Sequence, residues 1–398
     1  MPTTEGCRYQ SMDKNAPHVS DPRRGTAPLR RLTINGKFLA AKPTGVHRVA
    51  RQLLQELSYH SDDLAQLFPD FPRLVAPSNS GEIPPQPFSI KRGGVFRGQL
   101  WEQFDLPRFS QSDLLLNLCN LGPIATRNAI TMIHDAQVFT TPASYSRAFA
   151  SWYRFILPTI GHRHRKILTV SEFSADQLAR YGVAPREQIF VVPNGVDHVL
   201  GFDSDGEIIG KLDLIARRFV VALSNVQVHK NIRLLLDVFS AALVSDLKLV
   251  LIGSAQREDF EKLGHPVPAN VVFAGKVTDG ELRALLESAL CVGFPSTTEG
   301  FGLPPLEGMI LGCPAVMAPC GALVEIGSGG AIFAEPDNPR SWISAIRKLA
   351  DEQSYWTQYS QAGRARARCF TWRSAGDKLI AAIREVVIAE SCQRRMSR

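Results

Sequence analysis

Short apolar runs alternate with amphipathic stretches along most of the chain. Six runs in the first half have the length and apolar character of buried strands, namely RLTIN, RLVAP, DLLLNL, AITMIHD, KILTVS and QIFVVPN. Between the first two lies GVHRVARQLLQEL, in which Val46, Val49, Leu53, Leu54 and Leu57 recur at helical spacing. Buried strands that alternate with helices predict an α/β fold with a parallel, doubly wound sheet.

The alternation is interrupted by the Gly- and Asp-rich segment VVPNGVDHVLGFDSDGEIIG, which we interpret as a hinge or linker. It then resumes with RFVVALSN, KLVLIGS, NVVFAGKV, ALCVGFPS, CPAVMAP and AIFAE. We expect a disordered leader over 1–28, a first domain over 29–198 and a second over 199–372. A C-terminal helix over 373–398 can return to the first domain. In two such domains facing each other, ligands bind beyond the carboxyl ends of the strands.

Composition and charge restrict the function classes. With 44% hydrophobic and 21% charged residues, the chain is typical of a globular protein rather than a disordered or fibrous one. The net charge of +7 is compatible with binding to nucleic acid, to an anionic membrane surface or to an anionic small ligand. It is equally compatible with a basic surface that is simply solvated. Seven scattered cysteines without a CxxC pair indicate a reducing compartment and argue against a zinc site. With neither a signal peptide nor a membrane-spanning run, the sequence predicts a cytoplasmic protein.

The segment TEGFGLPPLEGM follows a predicted strand and has the features of a ligand-binding loop. Gly300 and Gly302 let the backbone approach a ligand closely, and the Pro-Pro step suits the first positions of a helix. Amides at a helix start favour anions. Glu299 precedes the bend and Glu307 is expected in the first helical turn, so that both can face one small site.

Two carboxylates beside an anion-binding turn suit a ligand with two diols and a phosphate, because each carboxylate can accept the protons of two hydroxyls. A nucleotide sugar is a ligand of this kind. A dinucleotide fingerprint is excluded, since the third glycine of GxGxxG would fall on Pro305. An acidic turn that merely complements the helix dipole remains the alternative explanation of Glu307.

EGFGLPPLE resembles the Glu-x7-Glu motif of the retaining GT-B glycosyltransferases of family 4. Five further segments resemble the family in its order, namely TGVHRVARQLL, MIHDAQVF, ILTVSEFSADQL, FVVPNGVD and VHKNIRLLLDVF. The resemblance covers roughly residues 32–372. It implies two Rossmann-like domains that face each other across a cleft, with the donor nucleotide sugar bound mainly by the second.

The resemblance also implies roles for the residues of the loop. Glu307 would bind the ribose hydroxyls, and Glu299 would bind hydroxyls of the donor sugar and help to place its anomeric carbon. The backbone of the loop between them would cradle the sugar and phosphate, at Gly300, Phe301, Gly302 and Leu303.

Elsewhere, Lys230 would neutralise the diphosphate leaving group, and the amide of Gly45 would add a donor at the start of its helix. His134 would help to stabilise the oxocarbenium-like state, although a histidine satisfied at a strand end is the plainer alternative. The chain departs from the family where many relatives place an arginine, at Ser224 and Asn225. Lys230 would therefore work alone or with the adjacent histidine.

Two other motifs are weaker. DSD at 203–205 resembles a metal-binding DxD, but it lies in the polar linker and is interpreted as a solvated loop. HRHRK at 162–166 follows the aromatic stretch FASWYRFILPTIG, and that combination suits either an anionic membrane surface or a plain basic one. The basic tail QRRMSR adds weakly to the membrane interpretation.

The resemblance favours a retaining hexosyltransferase with GDP-mannose as donor and with no metal required. WEQFDLP, NLCNLGP and IHDAQVFTTPASYS are most similar to bacterial mannosyltransferase-like members. The expected acceptor is a glycan or a polyprenyl-diphosphate-linked sugar of exopolysaccharide synthesis, at the inner face of the plasma membrane, and nucleic acid is not an expected partner. The alternatives are a UDP-sugar-dependent glucosyl- or galactosyltransferase, a non-catalytic GT-B binding protein, and an epimerase or phosphorylase on the same fold.

Overall fold

The computed structural model describes residues 29–41 and 44–396 of the 398-residue chain. The predicted leader and the last two residues of the basic tail lie outside that part. Two parallel sheets with helices between their strands form the described chain, as the alternation of apolar and amphipathic stretches predicts.

The first sheet has seven parallel strands in the order β3-β2-β1-β4-β5-β6-β7. They are β1 (Leu32–Asn35), β2 (Arg73–Ala76), β3 (Ser89–Arg92), β4 (Leu114–Asn117), β5 (Ala129–Met132), β6 (Lys166–Thr169) and β7 (Ile189–Val191). Six of them coincide with the predicted apolar runs. The sequence does not predict β3, because this edge strand reads SIKR and is mostly exposed, so it lacks an apolar signal.

Helices cover the first sheet. They are α1 (Gly45–Tyr59), α2 (Ser61–Leu67), α3 (Gly98–Leu100), α4 (Leu106–Phe109), α5 (Gln137–Thr140), α6 (Arg147–Arg163) and α7 (Glu172–Arg180). A π-helical turn over Trp101–Asp105 joins α3 to α4. The apolar face predicted for α1 is buried at Val49, Leu53, Leu54 and Leu57, which is why this stretch is helical and lies on the sheet.

The second sheet has six parallel strands in the order β10-β9-β8-β11-β12-β13. They are β8 (Phe219–Ser224), β9 (Lys248–Gly253), β10 (Val271–Gly275), β11 (Cys291–Phe294), β12 (Ala315–Met317) and β13 (Ile332–Phe333). All six fall within predicted runs. Its helices are α8 (Glu207–Lys211), α9 (Ile232–Phe239), α10 (Arg257–Lys262), α11 (Asp279–Ser288), α12 (Leu303–Leu311), α13 (Ala322–Gly327), α14 (Pro339–Asp351) and α15 (Gln353–Ala367).

The last helix, α16 (Trp372–Met396), crosses back and packs on α1 of the first half. Gly376 permits a close approach, since a Cβ there would lie 2.7 Å from Cβ of Glu56. Farther along, Arg384 of α16 pairs with Asp63 at 2.9 Å. Within the described residues, no helix combines the length and the apolar composition needed to cross a membrane.

The structure corrects the interpretation of HRHRK as one basic cluster. Arg165 forms an ion pair with Glu390 of α16, and Lys166 forms one with Glu385 of the same helix. Only the first two residues of the motif are exposed. Its second half therefore holds α16 against the first sheet and does not contribute to a surface for anionic lipid.

Candidate functional site

A cavity of about 600 Å³ lies between the two sheets, beyond the carboxyl ends of their strands. It is lined by the loops after β5, β8 and β11 and by the starts of α1 and α12. All nine predicted site residues line it, namely Gly45, His134, Lys230, Glu299, Gly300, Phe301, Gly302, Leu303 and Glu307. Both halves contribute to this set, so the cavity depends on how they meet.

The loop after β11 turns sharply into α12. Gly302 has φ +120°, a conformation that glycine adopts readily, and Gly312 ends the helix with φ +88°. The helix begins at Leu303, which places Glu307 in its second turn rather than in the predicted first turn. The carboxylate is therefore too far along the helix to act mainly as a dipole-complementing residue. Glu307 is buried and lies against the cavity.

Lys230 and Glu299 are joined directly. The Lys230 ammonium donates to Oε1 of Glu299 at 2.6 Å, and the two side chains are 17% and 10% exposed. Lys230 ends the 3-10 helix Val228–Lys230 after β8, while Glu299 comes from the loop after β11. Charge-assisted bonds of this kind are short and strong. The pair therefore places one cation and one carboxylate side by side in the lining of the cavity.

His134 is fixed by two hydrogen bonds at the end of β5. Its backbone N–H donates to Oδ1 of Asn120 at 2.8 Å, and its Nε2 lies 2.9 Å from the carbonyl of Leu118. Since a carbonyl only accepts, Nε2 carries the proton. Burial lowers the pKa of His134 to about 4, so the ring is neutral near pH 7. It can therefore contact a ligand as an uncharged polar ring, but it cannot act as a general acid.

Gly300 lies directly against the first half. A Cβ at this position would be 2.7 Å from Cβ of Asp135 and 2.8 Å from the carbonyl oxygen of His134. Burial raises the pKa of Asp135, and the nearby charge of Glu299 adds to that effect. Sequence reasoning includes Asp135 in MIHDAQVF, the segment that resembles the family's His-Asp strand end, but assigns it no role, because an aspartate after a strand carries no distinctive chemical signal by itself. The glycine is required for the loop after β11 to approach the end of β5.

Further hydrogen bonds hold the two halves together beside this contact. The carbonyl of Gly300 accepts from Oγ of Ser171 at 2.7 Å and from Oγ of Ser174 at 3.1 Å. The carboxylate of Glu325 in α13 accepts from the first two backbone amides of α7, each at 3.2 Å. Burial raises the pKa of Glu325, while these amide bonds oppose the rise. An acidic side chain from the second half thus caps a helix of the first.

The positions without the family's arginine have other contacts. Ser224 donates to the carbonyl of Ala255 at 2.6 Å, whereas Asn225 lines the cavity. His229 is buried and lies 2.8 Å from Oγ of Ser144, and burial and the adjacent Lys230 lower its pKa. A neutral, buried His229 adds no positive charge, so of the two residues Lys230 alone supplies a cation to the cavity.

Three aromatic rings form the first-domain wall of the cavity. Tyr145, Phe149 and Tyr153 stack in a row, with ring centroids 5.3 Å and 4.1 Å apart. The Tyr145 hydroxyl donates to Gln137 at 3.2 Å, and Gln137 donates to the carbonyl of Thr298 at 3.3 Å. The row is therefore linked to the loop that carries Glu299. We refer to these three residues as the aromatic row.

The DSD motif lies apart from the cavity, in the loop before α8. The Ser204 hydroxyl donates to Glu287 at 2.8 Å, and the amide of Asp205 donates to the carbonyl of Gly280 at 3.1 Å. Both contacts fasten the motif to α11. Over residues 29–41 and 44–396, no group of three His, Cys, Asp or Glu side chains is arranged as metal ligands.

Two family models match the chain, one in each half. Residues 43–200 match the model described as Glycosyltransferase Family 4, and residues 217–352 match the model described as Glycosyl transferases group 1. Together the two matches span most of the chain and include the loops that line the cavity.

Characterised relatives are similar over much of their length. RfbU of Salmonella typhimurium, an O-antigen chain mannosyltransferase, is 26% identical over 253 residues, which are 61% of this chain and 67% of the relative. The MMP alpha-(1->4)-mannosyltransferase of Mycolicibacterium hassiacum is 28% identical over 335 residues, which are 80% of this chain and 79% of the relative.

Solved structures share the fold at low sequence identity. Sucrose-phosphate synthase from Thermosynechococcus elongatus superposes with a TM-score of 0.69 at 16% identity, over 90% of this chain and 100% of that one. HepE of Anabaena, solved with UDP and glucose, gives 0.65 at 15% identity, over 89% and 99%. With both halves matched by glycosyltransferase models and the two sheets arranged as in GT-B structures, the chain belongs to the group 1, family 4 glycosyltransferases and is a GT-B glycosyltransferase.

Proposed function

We propose that this glycosyltransferase moves a sugar, with retention of configuration, from a nucleoside-diphosphate sugar to an acceptor of bacterial polysaccharide synthesis. The observation that carries the proposal is the cavity between the domains, where the Lys230–Glu299 pair and Glu307 lie together. A cation and two carboxylates match the diphosphate, the sugar and the ribose of one ligand.

The donor is bound mainly by the second domain. Glu307 accepts the protons of the ribose hydroxyls, and Glu299 accepts those of the donor sugar. Amides of Phe301, Gly302 and Leu303 contact the sugar and phosphate at the start of α12, where a helix favours negative charge. In the first domain, the amide of Gly45 adds one more donor at the start of α1.

Lys230 acts on the leaving group. The bond from the anomeric carbon to the phosphate oxygen breaks, and negative charge grows on that oxygen. An ammonium beside the diphosphate interacts more strongly with it as this charge grows. It therefore lowers the activation free energy of transfer in addition to stabilising the bound donor. In this proposal, Lys230 provides the neutralisation without requiring a metal.

Retention follows if the acceptor oxygen attacks the face that the phosphate leaves. The departing phosphate oxygen takes the acceptor's proton, the new glycosidic bond forms, and the nucleoside diphosphate is released. Neither glutamate then has to act as a nucleophile. The neutral ring and the backbone of His134 stabilise the oxocarbenium-like sugar without competing for the proton.

Mannose is the favoured sugar and GDP-mannose the favoured donor. Similarity to mannosyltransferases of Salmonella typhimurium and Mycolicibacterium hassiacum supports the sugar. HepE, whose structure contains UDP and glucose, keeps UDP-sugar-dependent glucosyl or galactosyl transfer as the alternative.

The proposed acceptor is a glycan, free or linked to polyprenyl diphosphate. It would enter past the aromatic row, which gives the first-domain wall of the cavity a rigid surface with two phenol hydroxyls. The O-antigen function of the relative RfbU supports a polysaccharide acceptor.

A lipid-linked acceptor implies peripheral contact with the inner face of the plasma membrane. One segment of the first domain, from the loop before α3 through the π-helical turn, suits this contact, because Val95, Phe96, Leu100 and Phe104 are 88%, 42%, 56% and 54% exposed. Arg97 lies exposed among them and favours anionic lipid. Such a run of exposed large apolar side chains is typical of an interaction site.

Vesicle sedimentation tests the membrane contact. Val95→Ser combined with Leu100→Ser is expected to reduce binding to vesicles that contain anionic phosphatidylglycerol, because it removes apolar area from the contact. Ile215→Ser combined with Leu243→Ser is the matched control, since these residues are 70% and 69% exposed, close to the average of Val95 and Leu100, but lie in the second domain. Equal binding by the two double variants would contradict the proposed surface.

Calorimetry tests the donor site. Wild-type protein is titrated with GDP, UDP and ADP beside a Glu307→Ala variant, and GDP is expected to bind tightest. The variant should weaken binding about 100-fold, since it leaves the ribose hydroxyls without their charged acceptor. A preference for UDP would replace the donor, and binding of no nucleotide would refute the proposed function.

A further inference from the structure

His198 lies beside Glu307 at the point where the chain first crosses between the domains. It belongs to the 3-10 helix Asp197–Gly201, and its side chain is 3% exposed. Its Nε2 lies 3.2 Å from Oε1 of Glu307. The chemistry proposed above does not use this histidine.

The proton on His198 can be placed from its other neighbour. The indole Nε1 of Trp372 donates to Nδ1 of His198 at 3.0 Å. An indole N–H is a donor only, so Nδ1 must accept, and the single proton of the ring is on Nε2. The N–H that results is the one beside the Glu307 carboxylate.

This Nε2–H is an unused donor in the described structure. The approach to Glu307 has hydrogen-bond length but is not aligned as a hydrogen bond, and the described residues provide no other partner for the atom. A buried donor without a partner costs free energy. Its burial beside a carboxylate that lines the donor cavity indicates a use when the cavity is filled.

The ring is held in place by both crossings between the domains. The backbone N–H of Trp372, the first residue of α16, donates to Oδ1 of Asp197 at 2.8 Å. The Trp372 ring meets the His198 ring edge-on at 5.8 Å, and the amide of Val196 donates to the carbonyl of Phe370 at 3.0 Å. The position of His198 is thus determined by residues 174 positions away in the chain.

We propose that His198 is a positioning residue for Glu307. When a donor fills the cavity, its Nε2–H donates to one oxygen of the carboxylate and turns the carboxylate toward the ribose hydroxyls, while Trp372 keeps the required tautomer. This inference rests on the proposed function, because it needs a ribose at Glu307. His198 contacts the donor only through the carboxylate.

The test compares two ligands and three proteins by calorimetry. Wild type, His198→Leu and His198→Gln are titrated with GDP and with 2′,3′-dideoxy-GDP, or with the UDP pair if UDP binds tighter. In His198→Leu, GDP affinity is expected to fall about tenfold, as for one hydrogen bond to a charged group, with little change for the dideoxy ligand. His198→Gln keeps a donor of similar reach and should retain most of the affinity for GDP.

A purely structural role predicts a different pattern. Loss of packing would weaken both ligands equally, and that result, or no change for either ligand, would overturn the inference. Thermal unfolding midpoints establish that the variants are folded. If His198→Leu does not fold, Trp372→Phe provides the second variant, because it lets the proton move to Nδ1 and should reduce discrimination between the two ligands in the same way.

The outcomes separate this inference from the proposed function. A wild type that binds neither GDP nor UDP refutes the proposed function and the inference with it. A wild type that prefers GDP over its dideoxy analogue, with the same preference in His198→Leu, leaves the proposed function intact and refutes the role of His198 alone.

Discussion

Replacing Lys230 with alanine is expected to reduce kcat/KM for sugar transfer about 1,000-fold. The ammonium is the cation that the described cavity places beside Glu299, and the proposed mechanism assigns it the charge that grows on the leaving diphosphate. Removal of one preorganised stabiliser of a developing anion typically costs a factor of 100 to 1,000. The loss in kcat/KM should exceed the loss in nucleotide affinity, because the interaction of Lys230 with the diphosphate strengthens as the sugar–phosphate bond breaks.

The variants Lys230→Arg and Glu299→Gln provide the comparison. Lys230→Arg keeps the charge and should recover part of the activity. Glu299→Gln leaves the cation in place but removes the carboxylate, and it should reduce kcat while preserving most of the nucleoside-diphosphate affinity. Steady-state kinetics measures kcat and kcat/KM, and calorimetry measures the affinity for the nucleoside diphosphate. A Lys230→Ala enzyme within about threefold of wild type in kcat/KM would contradict the role of Lys230 in leaving-group stabilisation.

Replacing Gly300 with alanine is expected to reduce kcat about 100-fold while nucleotide affinity changes only a few-fold. The added methyl would lie 2.7 Å from Cβ of Asp135 and 2.8 Å from the carbonyl oxygen of His134, both atoms of the first domain. The loop between β11 and α12 must then move away from the first domain, and a misplacement of about 1 Å can reduce the rate by a factor of 100. Glu307 remains on α12 of the second domain and can still bind ribose.

Gly210→Ala is the matched control for this variant. A Cβ at Gly210 in α8 meets nothing within 4 Å, so the same change of residue type should leave activity and stability near wild type. Steady-state kinetics with the donor measures kcat, and calorimetry with the nucleoside diphosphate measures nucleotide affinity, for both variants. An active Gly300→Ala enzyme would show that the contact between the loop after β11 and the end of β5 is not needed for transfer.

Most of the fold follows from the sequence because its signals are local. Every strand except β3 coincides with a predicted apolar run, since buried parallel strands consist of consecutive apolar residues. The turn into α12 was also predicted, because glycines and a Pro-Pro step mark a helix start. The edge strand β3 was missed for the same reason, as its exposed residues carry no apolar pattern.

The sequence predicts residues that line one cavity, but it does not predict the contacts among them. The Lys230–Glu299 pair joins positions 69 apart in the chain, and the cap from Glu325 to α7 joins positions about 150 apart. Such partners meet only when the two domains meet, so no local spacing reveals them. The same limit explains HRHRK, in which Arg165 and Lys166 are paired with α16 and are only partly exposed.

Donor turnover followed by proton NMR tests the central claim most directly. Wild-type protein is incubated with GDP-mannose, and with UDP-glucose in parallel, so that water accepts the sugar in place of the glycan, and nucleoside-diphosphate release and the anomer of the free sugar are recorded before mutarotation. We predict release of GDP and a product that is first formed as the α-anomer, the configuration of the donor, with both lost in Lys230→Ala. A β-anomer formed first would contradict retention, and the absence of turnover with either donor would contradict the assignment of this cavity as a sugar-transfer site.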